Sequence, residues 1–316
     1  MGNRKIVGVI LAAGRGARMA PFSDNFPKPI LPICNKPLLV YQIESMREIG
    51  IEEIIIVVGH KAYEITRILG SGEKFGVKIQ YVDQESTLGI AHAVGKLEGL
   101  VKTPFLLFLG DIFFRTSDLR VMVDMMLEES ATGVLAVKVE EDPEAIKRNF
   151  AIILNEDRTV RRVIEKPRYT QNKLKGCGLY LFDLPIFDAI RRTPRTAMRD
   201  EYEITDSIQL LIDDFPPVKV AEVVEWDVNL TSPIDLLRIN LYQLERIGRN
   251  TLIGKDTEIH PDAELSKTVV GDGARIENPI SLSNCVIFNG TIVTTESSSD
   301  GVIFTPDSTI DCRNIS

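Results

Sequence analysis

No stretch of the chain is both long and apolar enough to span a bilayer, which takes about 20 consecutive apolar residues. Cysteine is sparse. Cys34, Cys177, Cys285 and Cys312 lie apart with no C-x-x-C spacing, and the three histidines form no H-E-x-x-H pattern, so the common zinc and redox signatures are excluded. The thiols read as reduced and structural, as expected of a cytoplasmic protein. Basic charge is also in short supply: 37 Lys and Arg face 45 Asp and Glu, for a net charge of −8. That balance excludes a general nucleic-acid or membrane-surface binder, and leaves any polyanionic ligand to a few placed cations and a metal ion. The apolar run over residues 6–11 is shorter than the usual ~7–15-residue core of a secretory signal and leads into a glycine-rich loop, so it reads as a buried first strand. Position 6 is Ile, which removes the myristoylation pattern.

What is present is an alternation. Short β-branched runs over 6–11, 53–58, 77–82, 105–109 and 133–139 read as strands, and 38–49, 62–69, 90–100 and 119–128 carry helical periodicity between them. This pattern predicts an α/β sheet, largely parallel and covered on both faces. Ligands of such sheets bind at the carboxyl ends of strands, so the loops after Leu11, Val82 and Leu109 should converge on one crevice. Further strands are expected over 150–154, 160–164, 179–182 and 218–224, with helices over 186–192, 204–213 and 233–247.

Beyond Leu252 the texture changes. Aliphatics recur every six residues, Ile253, Ile259 and Leu265, then Val270, Ile276 and Leu282, then Val286 and Ile292, with Gly254, Gly271, Gly273 and Gly290 at turns. The period predicts a short left-handed parallel β-helix over 249–316, following a catalytic domain over 1–248. A Ser-rich insertion at 296–300 is expected to be a mobile loop.

Chemistry is carried by two neighbouring segments. The first strand runs into Leu11-Ala12-Ala13-Gly14-Arg15-Gly16-Ala17-Arg18, whose small residues allow a backbone nest for phosphate oxygens. Shortly after comes Phe26-Pro27-Lys28-Pro29-Ile30-Leu31-Pro32, in which prolines stiffen the backbone on either side of one lysine. Asp111 ends the apolar strand 105–109, where a carboxylate needs a partner and a magnesium ion is a natural one.

Together the two segments resemble the signature of the sugar-phosphate nucleotidyltransferases, roughly L-A-A-G-x-G-T-R-L-x-P followed by P-K-P-L-x-P. The resemblance continues in order through Gly89-Ile90-Ala91-His92-Ala93, Leu109-Gly110-Asp111, Glu165-Lys166-Pro167, Gly178-Leu179-Tyr180 and Glu203-Ile204-Thr205-Asp206. It implies a Rossmann-like, GT-A-like mixed sheet flanked by helices, and an enzyme that joins a nucleoside triphosphate to a sugar 1-phosphate with Mg²⁺. Leu11, Ala12, Ala13, Gly14, Gly16, Gln84 and Gly89 would hold the nucleotide, with Arg18 and Lys28 on its phosphates. Gly110, Glu165, Lys166, Gly178 and Arg199 would hold the sugar phosphate, and Arg18, Lys28, Asp111 and Lys166 would act in catalysis. Asp111 and Asn229 would be metal ligands, with Asp227 assisting.

A Gln84 amide matches the O4 and N3–H edge of uracil or thymine, which favours UTP or dTTP; a cap on a strand end is its other reading. Glucose 1-phosphate is favoured as the common family substrate. Ala17 stands where the family has Thr, and Asn149-Phe150-Ala151 where it has Tyr-Gly, which leaves the hexose open. A guanylyltransferase-like specificity and a regulatory relative without turnover are the competing readings. The tail resembles acyltransferase repeats but offers only His260, so subunit packing in a homo-oligomer is expected of it instead.

Overall fold

The first strand is Val-Gly-Val-Ile-Leu, apolar on both faces, as a strand needs when helices cover both sides of its sheet. The computed structural model describes residues 5–14, 16, 19, 22, 26–169, 172–197 and 200–314. Its elements begin β1 (Val7–Leu11), β2 (Pro32–Ile33), β3 (Lys36–Pro37), α1 (Leu38–Glu48), β4 (Glu53–Val58), α2 (Ala62–Leu69), β5 (Lys78–Asp83), α3 (Ile90–Gly95), β6 (Phe105–Leu109) and β7 (Ile112–Thr116). They continue α4 (Arg120–Leu127), β8 (Gly133–Val139), α5 (Pro143–Lys147), β9 (Phe150–Leu154), β10 (Val160–Glu165), β11 (Leu174–Phe182), α6 (Pro185–Arg192), α7 (Ile204–Asp214), β12 (Val218–Ala221), β13 (Val224–Asn229) and α8 (Pro233–Arg246). The chain forms two compact units, Met1–Gly14 with Gln42–Asp227, and Arg15–Tyr41 with Val228–Ser316.

In the first unit a nine-stranded sheet runs β10-β9-β11-β6-β1-β4-β5, with β8 beside β11 and β12 beside β8. The β5-β4-β1-β6 half is parallel, as the alternation predicts. In the other half β11 runs antiparallel to β6, β8 and β9, so the sheet is mixed, as the family resemblance implies. Val9, Phe105, Leu107, Leu135, Phe182 and Ile208 are among the side chains of its core, each worth about 1.5–3 kcal/mol on burial.

Three differences from the sequence reading bear on the site. Strand β11 begins at Leu174, ahead of the expected 179–182, because Gly176 and Gly178 interrupt the apolar signal. Its ladder with β8 shifts register between Gly176 and Tyr180. The expected strand 218–224 is two strands, and β13 pairs with the unanticipated β7 in a two-stranded ribbon. Helix α3 stops at Gly95, well short of residue 100.

In the second unit α8 opens on a capping box, with Pro233 in its first turn. Asp235 Oδ2 accepts from the backbone N–H and hydroxyl of both Thr231 and Ser232 at 2.6–3.0 Å, a cap worth about 1 kcal/mol. The tail consists of three short sheets whose successive parallel strands are 17 residues apart, with one antiparallel strand, Thr309–Asp311, added to the first. The step from Leu265 to Val270 is one residue shorter than the step before it, so a strict six-residue count drifts. Ile287 and Val293 therefore occupy the core line under Val270 and Ile276, and Ile292, expected inside, is 54% exposed. The Ser-rich insertion contributes a strand, Ser299–Asp300, paired with Leu282 and Ser283.

Candidate active site

Strands β1, β4 and β6 are parallel neighbours, so their carboxyl ends share one edge of the sheet. Leu11 pairs with Leu109 and Val57. Beyond it, Ala12 N–H donates to Val57 O at 2.7 Å, Ala12 and Ala13 are buried, and Gly14 is exposed. A Cβ at Gly14 would meet nothing within 4 Å, so the space above it is open. Gln84 follows β5 on the same edge, donates its backbone N–H to Val58 O at 2.7 Å and is 8% exposed.

Gly89 opens α3 and is held by a main-chain constraint of its own. It lies at φ +105°, and a Cβ there would come within 2.5 Å of Tyr202 O. Tyr202 N–H donates to Leu88 O, and Ala91 N–H to Tyr202 O. The close approach at Gly89 is thus between two stretches of main chain. His92, a turn into α3, stands 6.2 Å from the Tyr202 ring, and burial with the nearby Lys96 charge holds its imidazole below its ordinary range.

The Asp111 turn is fixed by its neighbours. Gly110 N–H donates to Leu11 O at 2.8 Å, and a Cβ at Gly110 would stand 2.6 Å from that oxygen. Gln42, on α1 and 1% exposed, donates through Nε2 to Leu109 O at 2.9 Å and Ile112 O at 2.8 Å, the carbonyls that bracket Gly110-Asp111. Gln42 is not legible in the sequence, because a lone Gln in an amphipathic helix gives no signal.

Glu165 ends β10 and Lys166 follows it. Thr205 Oγ1 donates to Glu165 Oε2 at 3.4 Å, and Lys166 Nζ lies 3.6 Å from Glu165 Oε1. Lys166 takes a left-handed φ of 41°, and its N–H donates to Asn149 O at 2.8 Å. The buried Tyr180 hydroxyl is pushed up by burial and by the Glu165 charge, and burial followed by Glu203 raises the Asp206 carboxyl. Gly178, at φ +70°, would carry a Cβ within 2.4 Å of Ile112 Cδ1, so glycine lets β11 lie against the start of β7.

In the second unit the two phosphate-type segments meet. Lys28 is 7% exposed and opens a 3₁₀ turn over Lys28–Ile30 after Pro27. Its stem covers Gly16, where a Cβ would be 2.6 Å from Lys28 Cε. The buried Asn240 of α8 accepts from Cys34 N–H at 2.7 Å and donates to Pro32 O at 3.0 Å, anchoring the turn that follows the lysine. Asn229 closes β13. Arg18 and Arg199 lie outside the described residues.

The expectation for Asp227 needs correction. Its side chain is 2% exposed, and both carboxylate oxygens accept from Lys175 Nζ, at 2.7 and 2.8 Å. An assisting role at a metal would have to displace that ammonium from both oxygens.

The four cysteines are free. Burial pushes the Cys34 thiol up to about 12, and Cys285 and Cys312 to about 11, with Cys177 raised as well. A raised thiol holds less thiolate at a given pH, so iodoacetamide at pH 8 should label the native protein at least about 100-fold more slowly than free cysteine. Rapid loss of Cys34 by peptide mapping would contradict this, whereas unfolding in guanidinium should expose all four thiols.

Among the described residues no helix is long and apolar enough to cross a membrane. The profile of the nucleotidyl transferase family matches residues 7–227. A low-salt glycan biosynthesis nucleotidyltransferase of Haloferax volcanii is 32% identical over 266 residues, 83% of this chain and 73% of that protein. A glucose-1-phosphate thymidylyltransferase of Streptomyces griseus is 32% identical over 289 residues, 85% of this chain and 79% of its own. A solved Bacillus anthracis structure, assigned as a glucose-1-phosphate thymidylyltransferase and bound to sucrose, superposes with a TM-score of 0.68 at 26% identity, covering 75% of this chain and 94% of that one. With its α/β sheet, its glycine-rich strand end and these relatives, the chain belongs to the nucleotidyl transferase family and is a sugar-1-phosphate nucleotidyltransferase.

Proposed function

We propose that the enzyme transfers a pyrimidine nucleotide from dTTP or UTP to a hexose 1-phosphate, glucose 1-phosphate before others, and releases pyrophosphate. The observation that carries this reading is the joining of the Asp111 turn to the open glycine-rich end of β1 through Gly110 N–H and Leu11 O. On one edge it sets a carboxylate beside a backbone able to receive a nucleotide. The buried Gln84 at that edge supports a pyrimidine, and the thymidylyltransferase relative supports glucose 1-phosphate.

In this reading Leu11, Ala12, Ala13, Gly14, Gly16, Gln84 and Gly89 bind the nucleotide, and Arg18 and Lys28 neutralise its phosphates. Glu165, held by Thr205, accepts from sugar hydroxyls. Lys166 and Arg199 orient the sugar phosphate, with Gly110 and Gly178 leaving room for it. The phosphate monoester is already charged, so no general base is required. One of its oxygens attacks the α-phosphorus in line, pyrophosphate leaves opposite, and Lys28 stabilises the charge that accumulates.

Among the described residues no three His, Cys, Asp or Glu side chains are grouped to hold a metal. As proposed ligands, Asp111 and Asn229 offer the kind of oxygen donors that Mg²⁺ takes, one or two from protein with phosphates and water completing its shell. When bound, the ion supplies Lewis-acid stabilisation of the phosphoryl oxygens.

We assign catalysis to residues 1–248. For 249–316 we propose a left-handed parallel β-helix that packs subunits of a cytoplasmic homo-oligomer, supported by the exposed Ile253 and Ile292 on its coils. Pyrophosphate release should be measured for dTTP, UTP, GTP and CTP against the 1-phosphates of glucose, mannose and N-acetylglucosamine. The expected result is a kcat/KM at least about tenfold higher for dTTP or UTP with glucose 1-phosphate than for any GTP pair, a margin of about 1.4 kcal/mol. A preference for GTP with mannose 1-phosphate would sink the pyrimidine assignment.

A further inference from the structure

A buried ion pair of the first unit lies outside the machinery assigned above. Lys175 and Asp227 form an ion pair with side chains 5% and 2% exposed, and Glu140 stands 3.8 Å from the same ammonium. Two charges withdrawn from water are replaceable by packed apolar side chains with little or no loss of stability. The pair is therefore a poor way to gain stability and a good way to fix a direction.

Its position shows what it fixes. Strand β11 pairs with β6 only from Leu179 onward, so Leu174–Gly178 runs past the carboxyl end of β6, on the side where Asp111 lies. There Lys175 pairs with Ala151 of β9 and Lys138 of β8. Asp227 belongs to β13, the partner of β7, and β7 begins at Ile112, directly after Asp111. From β7 two apolar contacts reach the main sheet: the Phe108 and Phe114 rings meet edge to face at 4.8 Å, and Ile112 lies against Gly178. The ion pair adds a directional contact from β13.

We propose that Lys175 is a positioning residue, whose pair with Asp227 holds the β7–β13 ribbon, and with it the Asp111 turn, at a set place against the sugar-side strand β11. This rests on the reading of Asp111 and Gly178 given above. Loss of the pair lets the ribbon shift while the sheet stays folded.

The ribbon carries its own reporter, because Trp226 is the one tryptophan of the chain and meets Phe113 of β7 edge to face at 6.0 Å. The test uses the full chain as wild type, Lys175→Met, and Lys175→Met/Asp227→Leu, in which an apolar pair replaces the charges. Lys175→Met should lower Tm, since it leaves Asp227 buried alone, and the double variant should regain it. In both variants kcat should fall at least tenfold, and the acrylamide quenching constant of Trp226 should at least double. A double variant with wild-type kcat, or with wild-type quenching, overturns the proposal. So does a Lys175→Met loss that high Mg²⁺ reverses, because the released Asp227 would then be acting as a ligand. If wild type releases no pyrophosphate with any substrate pair, the reading of the site fails, and the quenching arm alone still decides whether the pair holds the ribbon.

Discussion

Asp111→Ala is expected to lower kcat by at least about 10³-fold, equivalent to about 4 kcal/mol of transition-state stabilisation. The transferred phosphoryl group offers little covalent chemistry to the protein, so charge placed at the reacting centre accounts for most of the rate. In the function proposed above, Asp111 is the carboxylate at that centre. The variant should stay folded, because the turn is held by main-chain and Gln42 contacts that do not involve the carboxylate. Circular dichroism with a Tm within a few degrees of wild type checks this, and pyrophosphate release checks the rate. A folded Asp111→Ala enzyme turning over within tenfold of wild type would remove Asp111 from the mechanism.

Lys28→Met should cost about 10²–10³-fold in kcat/KM, the range for deleting one placed charge or donor at a developing oxyanion. Methionine keeps a flexible apolar stem over Gly16, where the lysine carbons now lie, and removes only the ammonium. The same substitution at an exposed lysine changes little, so a near-normal rate would mean that Lys28 is buried for packing alone. Lys28→Arg is the informative companion. A planar guanidinium on a longer stem does not match a position set by a 3₁₀ turn between prolines, and it should rescue only partially.

How much of this was legible in the sequence depended on range. The Ala12-Ala13-Gly14 strand end, the Pro-Lys-Pro turn and the Asp111 strand end are local patterns, readable from neighbouring residues alone. The parallel half of the sheet followed from apolar runs long enough to have their own period. What the sequence hid was mostly pairing. Gly176 and Gly178 read as interruptions, yet they lie within β11: a Cβ at Gly176 would strike the Phe150 ring, and one at Gly178 would strike Ile112. Neither demand is visible until distant strands are side by side. Asp227 was offered as a ligand on alternation along a strand, and no spacing rule could have shown that Lys175, on another strand, takes both its oxygens. In the tail, a count of six held within each coil and failed between coils, because one turn is a residue shorter than the others.

One sheet of the tail carries a reversal of strand direction. Each coil offers the next an open row of backbone donors and acceptors, so a stack of this kind is a one-dimensional template that a further coil, or another chain, could extend. At Thr309–Asp311 the chain turns back and pairs antiparallel with Val302–Phe304. The direction of growth is reversed there, and a strand arriving in the parallel sense finds that edge already occupied.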